Sequence, residues 1–150
     1  MARPTVCAIF AGLLMFALAP QVRAGDGCTV ADLNGDYSFV LSGTVVGANA
    51  PGLPTGPFAA AGETIYYGNG YAEGVIQISV NGTQLYSNWT ATYTPNTTSP
   101  PSTCSFTKAI TLKATGTTAT YFITAGDDFN ELRFVETDSG TAVTGTARKQ

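Results

Sequence analysis

The segment YAEGVIQISVNGTQLYSNWTATYT, residues 71–94, holds two runs of alternating apolar and polar side chains around Asn81-Gly82. Asn-Gly is the pair a two-residue type I′ turn demands, because both central positions take positive φ. Such a turn pairs Val80 with Thr83 and sorts every neighbouring side chain onto one of two faces. One face carries Ala72, Gly74, Ile76, Ile78 and Val80 beside Leu85, Ser87, Trp89, Ala91 and Tyr93. The other carries Glu73, Gln77, Ser79, Gln84, Tyr86, Asn88, Thr90 and Thr92. The first set must face an interior, since leaving Trp89 and its aliphatic neighbours in water costs about several kcal/mol.

The same period of two recurs on both sides of this hairpin. Residues 36–46 follow Asn34-Gly35 and alternate Tyr37, Phe39 and Leu41 with Ser38, Val40 and Ser42. Further strands are expected at 57–67, 104–114, 118–124 and 130–137, with Gly126-Asp127-Asp128 as a turn and Ser139-Gly140 closing a last hairpin. That hairpin sets Glu136 opposite Val143 and Phe134 opposite Gly145. Helical periodicity is absent after residue 24, and Gly and Thr are frequent where a helix would resist them. Consecutive hairpins describe an all-β, eight-stranded antiparallel up-and-down barrel rather than a Greek-key sandwich, and closure removes the edges an open sheet must protect. Eight strands leave an interior that fills with side chains or holds one small ligand. The loop ahead of Tyr71 decides one further position: a two-residue loop at Asn69-Gly70 puts Glu63 inside beside Ile76, whereas a three-residue loop turns Thr64 and Tyr66 inward and Glu63 outward, the arrangement that the Gly-rich turn favours.

At the N-terminus, Arg3, the apolar run 6–19 and the Val22-Arg23-Ala24 site read as a secretory signal over 1–24. The run, about fourteen residues, is short of the roughly 20 that cross a bilayer. Residues 25–150 then form one expected domain, secreted, periplasmic or in a secretory lumen, with no membrane partner. Of seven basic residues the signal takes Arg3 and Arg23, leaving five against ten acidic ones, a net charge near −5. A chain of this charge with no basic cluster repels rather than steers a polyanion, so nucleic acid is excluded as a partner. Cys7 leaves with the signal, and the remaining Cys28 and Cys104 make an even pair that predicts one disulfide.

The chain contains no histidine, which excludes the Ser–His and Cys–His pairs of classical hydrolases and the usual zinc-hydrolase ligand sets. No phosphate-cradling loop is present, and no cofactor or metal is expected; Asp26, Asp32 and Asp36 are too irregularly spaced for a calcium loop. Three sequons, at Asn81, Asn88 and Asn96, would accept N-glycans in a eukaryotic secretory pathway. Asn96, beside the Pro- and Ser-rich stretch 95–103, is expected to be the most accessible.

Four motifs together resemble one family: Leu33-Asn34-Gly35-Asp36-Tyr37-Ser38-Phe39, Gly56-Pro57-Phe58-Ala59-Ala60-Ala61-Gly62, Tyr93-Thr94 ahead of a cysteine, and the closing run 137–147 that starts Thr137-Asp138-Ser139-Gly140. They resemble the small secreted allene oxide cyclase-like barrels of bacteria and fungi, related to dirigent proteins. The resemblance implies an eight-stranded barrel, often a homotrimer, that holds an apolar small molecule and in some relatives steers ring closure or radical coupling without a cofactor. Each motif is a turn-and-strand signature, and none carries catalytic residues across.

A cofactor-free cyclase or isomerase needs an apolar cavity and one or two polar groups that move a proton. Ile76, Ile78, Trp89, Tyr93, Phe106 and Phe134 are the candidate lining. Lys108 and Glu136, charged members of otherwise apolar rows, are the candidate catalytic groups, and both also fit rim positions with their heads in water. Two functions follow. One is a secreted barrel that binds a small apolar molecule and directs its cyclisation or isomerisation. The other is a non-catalytic surface, carrier or effector protein with a filled barrel.

Overall fold

At the deciding hairpin, Asn81 and Gly82 adopt φ of 47° and 83°, the positive pair that a type I′ turn requires. They join β3 (Tyr71–Val80) to β4 (Thr83–Pro95), with Val80 opposite Thr83 and Ile78 opposite Leu85 as the sequence dictates. A computed structural model describes residues 28–47, 53–96 and 104–150. The expected signal over 1–24 lies outside them. Around the hairpin stand β1 (Asn34–Val45), β2 (Gly56–Tyr67), β5 (Ser105–Leu112), β6 (Thr118–Gly126), β7 (Glu131–Glu136) and β8 (Thr141–Lys149). Each strand pairs antiparallel with the next, and β8 returns to β1, closing an eight-stranded barrel. Among the described residues no helix is long and apolar enough to cross a membrane.

The turn before β3 has three residues, so Tyr66 pairs with Ala72, Thr64 and Tyr66 are buried, and Glu63 is exposed. Closure brings the wall close to the large interior rings. A Cβ at Gly74 would overlap the Glu63 carbonyl oxygen and come within 2.7 Å of the Trp89 ring. Gly62 lies equally close to Phe39. Glycine is what lets neighbouring strands and these two rings approach so tightly.

Beyond shifts of one or two residues at other strand ends, three features depart from the sequence expectation. Strand β5 starts one residue after Cys104 and ends at Leu112 rather than 114, because 113–115 turn back toward β6. Strand β6 runs on to Gly126, and the connection to β7 is a short turn, Asp127–Phe129, in which all three residues have positive φ. Phe129 is a bulky residue for that backbone region; its carbonyl accepts a hydrogen bond from the Tyr37 hydroxyl at 2.7 Å and its ring packs on Phe106. Asn96 is half-buried rather than the most accessible sequon. Its side chain donates to Ser105 Oγ at 3.3 Å and accepts from Thr107 Oγ1 at 2.8 Å. Asn81 and Asn88 are exposed.

Cys28 and Cys104 form a disulfide with their Cα atoms 5.4 Å apart. It ties the segment ahead of β1 to the start of β5. In that segment the Asp32 carboxylate accepts the backbone N–H of Thr29 at 2.8 Å, so Asp32 serves a local turn. Among the described residues no group of three His, Cys, Asp or Glu side chains is arranged to hold a metal.

Candidate functional site

The inward-facing residues fill the two halves of the barrel differently. At the end carrying the N-terminal segment, the 68–70 turn and the 127–129 turn, the interior is aromatic and closed. Tyr66 stands edge-on to both Tyr37 and Tyr93, each at 5.4 Å between ring centres. Tyr93 continues the packing onto Phe106. The Tyr93 hydroxyl donates toward the carbonyls of Leu33, at 2.8 Å, and Val30, at 3.1 Å, so it clasps the N-terminal segment across that end. Each phenol finds an acceptor or donor while its ring fills space, which is how tyrosine is accommodated in a core.

The opposite half holds a cavity. Its volume, counted as room open to a water-sized sphere, is about 70 Å³. Phe39, Leu41, Phe58, Ile76 and Ile78 supply an aliphatic and aromatic wall, and Leu53, Asp138, Ser139 and Thr141 stand at its mouth. Of the residues expected to line a cavity, Ile76, Ile78, Trp89 and Phe134 do so. Tyr93 and Phe106 are instead buried in the closed half. The difference is one of height along the barrel axis, which alternation alone does not encode. About 70 Å³ is less than half of the roughly 150 Å³ in which an apolar cavity holds benzene, so the enclosed space takes one end of a slender chain rather than a whole ring.

Lys108 is at the floor of this cavity and is 3 % exposed. Rim placement, with the ammonium in water, is therefore not where the structure puts it. Its Nζ donates to the Tyr66 hydroxyl at 2.9 Å and lies 4.3 Å from the Trp89 ring centre and 4.6 Å from that of Tyr66. The cross-strand neighbours of Lys108 are Tyr93 on β4 and Tyr121 on β6. The ion pairs among the described residues, Arg133–Glu131 and Arg148–Glu131, are on the outer surface. Lys108 thus packs against rings and phenols and forms no ion pair with a carboxylate of the described residues, and desolvation pulls its amine down to about 7. Burial in turn pushes the Tyr66 and Tyr121 phenols up, so both stay protonated at neutral pH.

Glu136 is half-buried at the cavity wall. The Tyr121 hydroxyl donates to its carboxylate at 3.3 Å. Desolvation raises the carboxyl above the usual range, and hydrogen bonds from Thr141 and Tyr121 partly offset that rise. Because Tyr121 pairs with Lys108 on one side and Glu136 on the other, the three form one row across β5, β6 and β7. Lys108 and Glu136 are two strands apart, roughly 10 Å at the backbone.

Tyr66 and Tyr121, the hydrogen-bonding partners of the two charged groups, are the site residues that sequence reasoning did not single out. The signal for Tyr66 was its inward position beyond a three-residue turn. For Tyr121 it was the alternation of β6, whose inward residues are Tyr121 and Ile123. Compared with family models, curated proteins and solved structures, the chain matches none.

Proposed function

We propose that this chain is a secreted barrel that binds one small, slender apolar molecule in the half-open lumen, with the polar end of the ligand toward Lys108. The observation that carries this reading is the composition of the cavity: an apolar wall and a single buried amine at its floor. Concave apolar sites with one or two convergent polar groups are the usual form of small-molecule sites. The disulfide fits an oxidising compartment, and the resemblance to allene oxide cyclase-like barrels agrees with a lumen that takes an apolar guest, in some relatives within a homotrimer.

The chemistry such a site supports without a cofactor is isomerisation or ring closure. Lys108 polarises or anchors one end of the substrate, while Glu136, through its contact with Tyr121, accepts or returns a proton further up the wall. The separation of the two groups assigns them to different atoms of the substrate. Native mass spectrometry of the protein purified from its own host tests the reading. An apolar ligand that leaves on denaturation is the expected result. A protein that is empty and also takes up no apolar dye would instead favour the non-catalytic, filled-barrel reading.

A further inference from the structure

Lys108 is placed where a lysine is hardest to keep charged. It is buried at the floor of the cavity, and although its nitrogen lies over the Trp89 and Tyr66 rings, with Phe134 6.0 Å away, these ring faces offset only part of the lost hydration. No carboxylate among the described residues pairs with it. A desolvated amine of this kind is partly neutral near pH 7, and the neutral form is a nucleophile. A carboxylate ligand would require the amine to be reprotonated and two charges to be held in an apolar pocket, which is costly. A neutral carbonyl group brings no such cost.

Resting on the lumen-binding reading above, we infer that the ligand is an apolar aldehyde or ketone and that Lys108 captures it as an imine. The nitrogen lone pair adds to the carbonyl carbon, and one N–H proton passes to the oxygen to give a carbinolamine. The remaining N–H proton and the hydroxyl then leave as water, and the C=N bond forms. The Tyr66 hydroxyl, 2.9 Å from Nζ and protonated at neutral pH, is placed to relay the proton from nitrogen to oxygen. The products are the imine and one water, with no oxidant or reductant involved.

Octanal, a slender saturated aldehyde, is the probe. The protein is incubated with it at neutral pH, the imine is trapped with cyanoborohydride, and the adduct is mapped by peptide mass spectrometry. Lys113 and Lys149 are exposed and act as internal controls together with the N-terminal amine. The expected result is one saturable alkyl group on Lys108, at least roughly tenfold enriched over the control amines and diminished in acid as the amine protonates. Labelling spread evenly over the exposed amines overturns the inference. So does tight binding of octanoate with no trapped octanal, which would make Lys108 an ionic anchor. If apolar dye binds and octanal is not trapped, the imine fails and lumen binding stands; if neither binds, both fail. Lys108→Arg, which keeps the cation and most of the volume, should lose the adduct, and should that variant not fold, mapping on the unaltered protein still decides.

Discussion

The Tyr121 hydroxyl donates to the Glu136 carboxylate at 3.3 Å while the Tyr121 backbone pairs directly with Lys108. One phenol therefore stands between the two charged side chains of the cavity. Its hydrogen bond favours the ionised carboxylate, against the burial that disfavours it. Tyr121→Phe keeps the ring and deletes the donor, so the Glu136 carboxyl should titrate higher still. Carbon-13 NMR of the labelled side chain measures the shift. With a substrate in hand, Glu136→Gln should abolish turnover while leaving binding largely intact, and unchanged turnover would remove Glu136 from the mechanism.

Lys108 leaves a signature in the pH dependence of stability. Its folded value, about 7, is below the ordinary 10.5, so between these limits the unfolded chain binds more protons than the folded one. Stability therefore rises with pH from about 7 until the buried tyrosines begin to act in the opposite sense near pH 10. The lowered value corresponds to roughly 4 kcal/mol of folding free energy forgone at neutral pH. Urea unfolding at several pH values should show the rise in the unaltered protein and a flat, higher profile in Lys108→Met.

Trp89 is the single tryptophan of the chain, and it lines the cavity beside Lys108. Occupation of the cavity should shift or quench its fluorescence, giving a binding curve without a label. In the described structure its buried Nε1 has no hydrogen-bond partner, so Trp89→Phe leaves no acceptor orphaned. That variant should lose the signal, keep the fold at a cost of about 1–3 kcal/mol for the vacated volume, and still bind by native mass spectrometry.

Removing the Cys28–Cys104 bridge, whose partners are 76 residues apart, releases a long loop in the unfolded chain. Cys28→Ser with Cys104→Ser should lower stability by roughly 4 kcal/mol in the chain-entropy description, read by calorimetry with and without reductant. The loss should loosen the tyrosine-filled end first, which hydrogen exchange at Leu33 and Phe106 reports.

Gly74→Ala sets a methyl group against the Glu63 carbonyl and the Trp89 ring. The clash is with backbone and cannot relax by a rotamer change, so a loss of about 2 kcal/mol or more is expected in thermal unfolding. Gly82→Ala is a different test, because no atom is within 4 Å but φ is +83°; its loss should be smaller and purely conformational.

The barrel was legible because its turns are short and chemically explicit. Asn81-Gly82 set the β3–β4 register, whereas the loop before β3 allowed two registers, of which the structure has the one with Tyr66 inward and Glu63 outward. Alternation then sorted interior from exterior along each strand, and the two cysteines marked their own bridge. Height along the axis was not legible, since a period of two says which way a side chain faces and not how far down the lumen it sits. That is why Tyr93 and Phe106, inward like Trp89, were grouped with a cavity they do not line. The Asn96 side chain was misread for a related reason: its bonds to Ser105 and Thr107 depend on the pairing of β4 with β5 across a long connection that no local motif specifies.

The clasp formed by the Tyr93 hydroxyl on the N-terminal segment, together with the disulfide beside it, makes the vessel a cup rather than a tube. On the lumen-binding proposal, a guest departs by the mouth through which it arrived, past Leu53 and the 138–141 corner. Residence time is therefore governed at that rim, and alterations there should change how long a molecule stays without altering how the floor holds it.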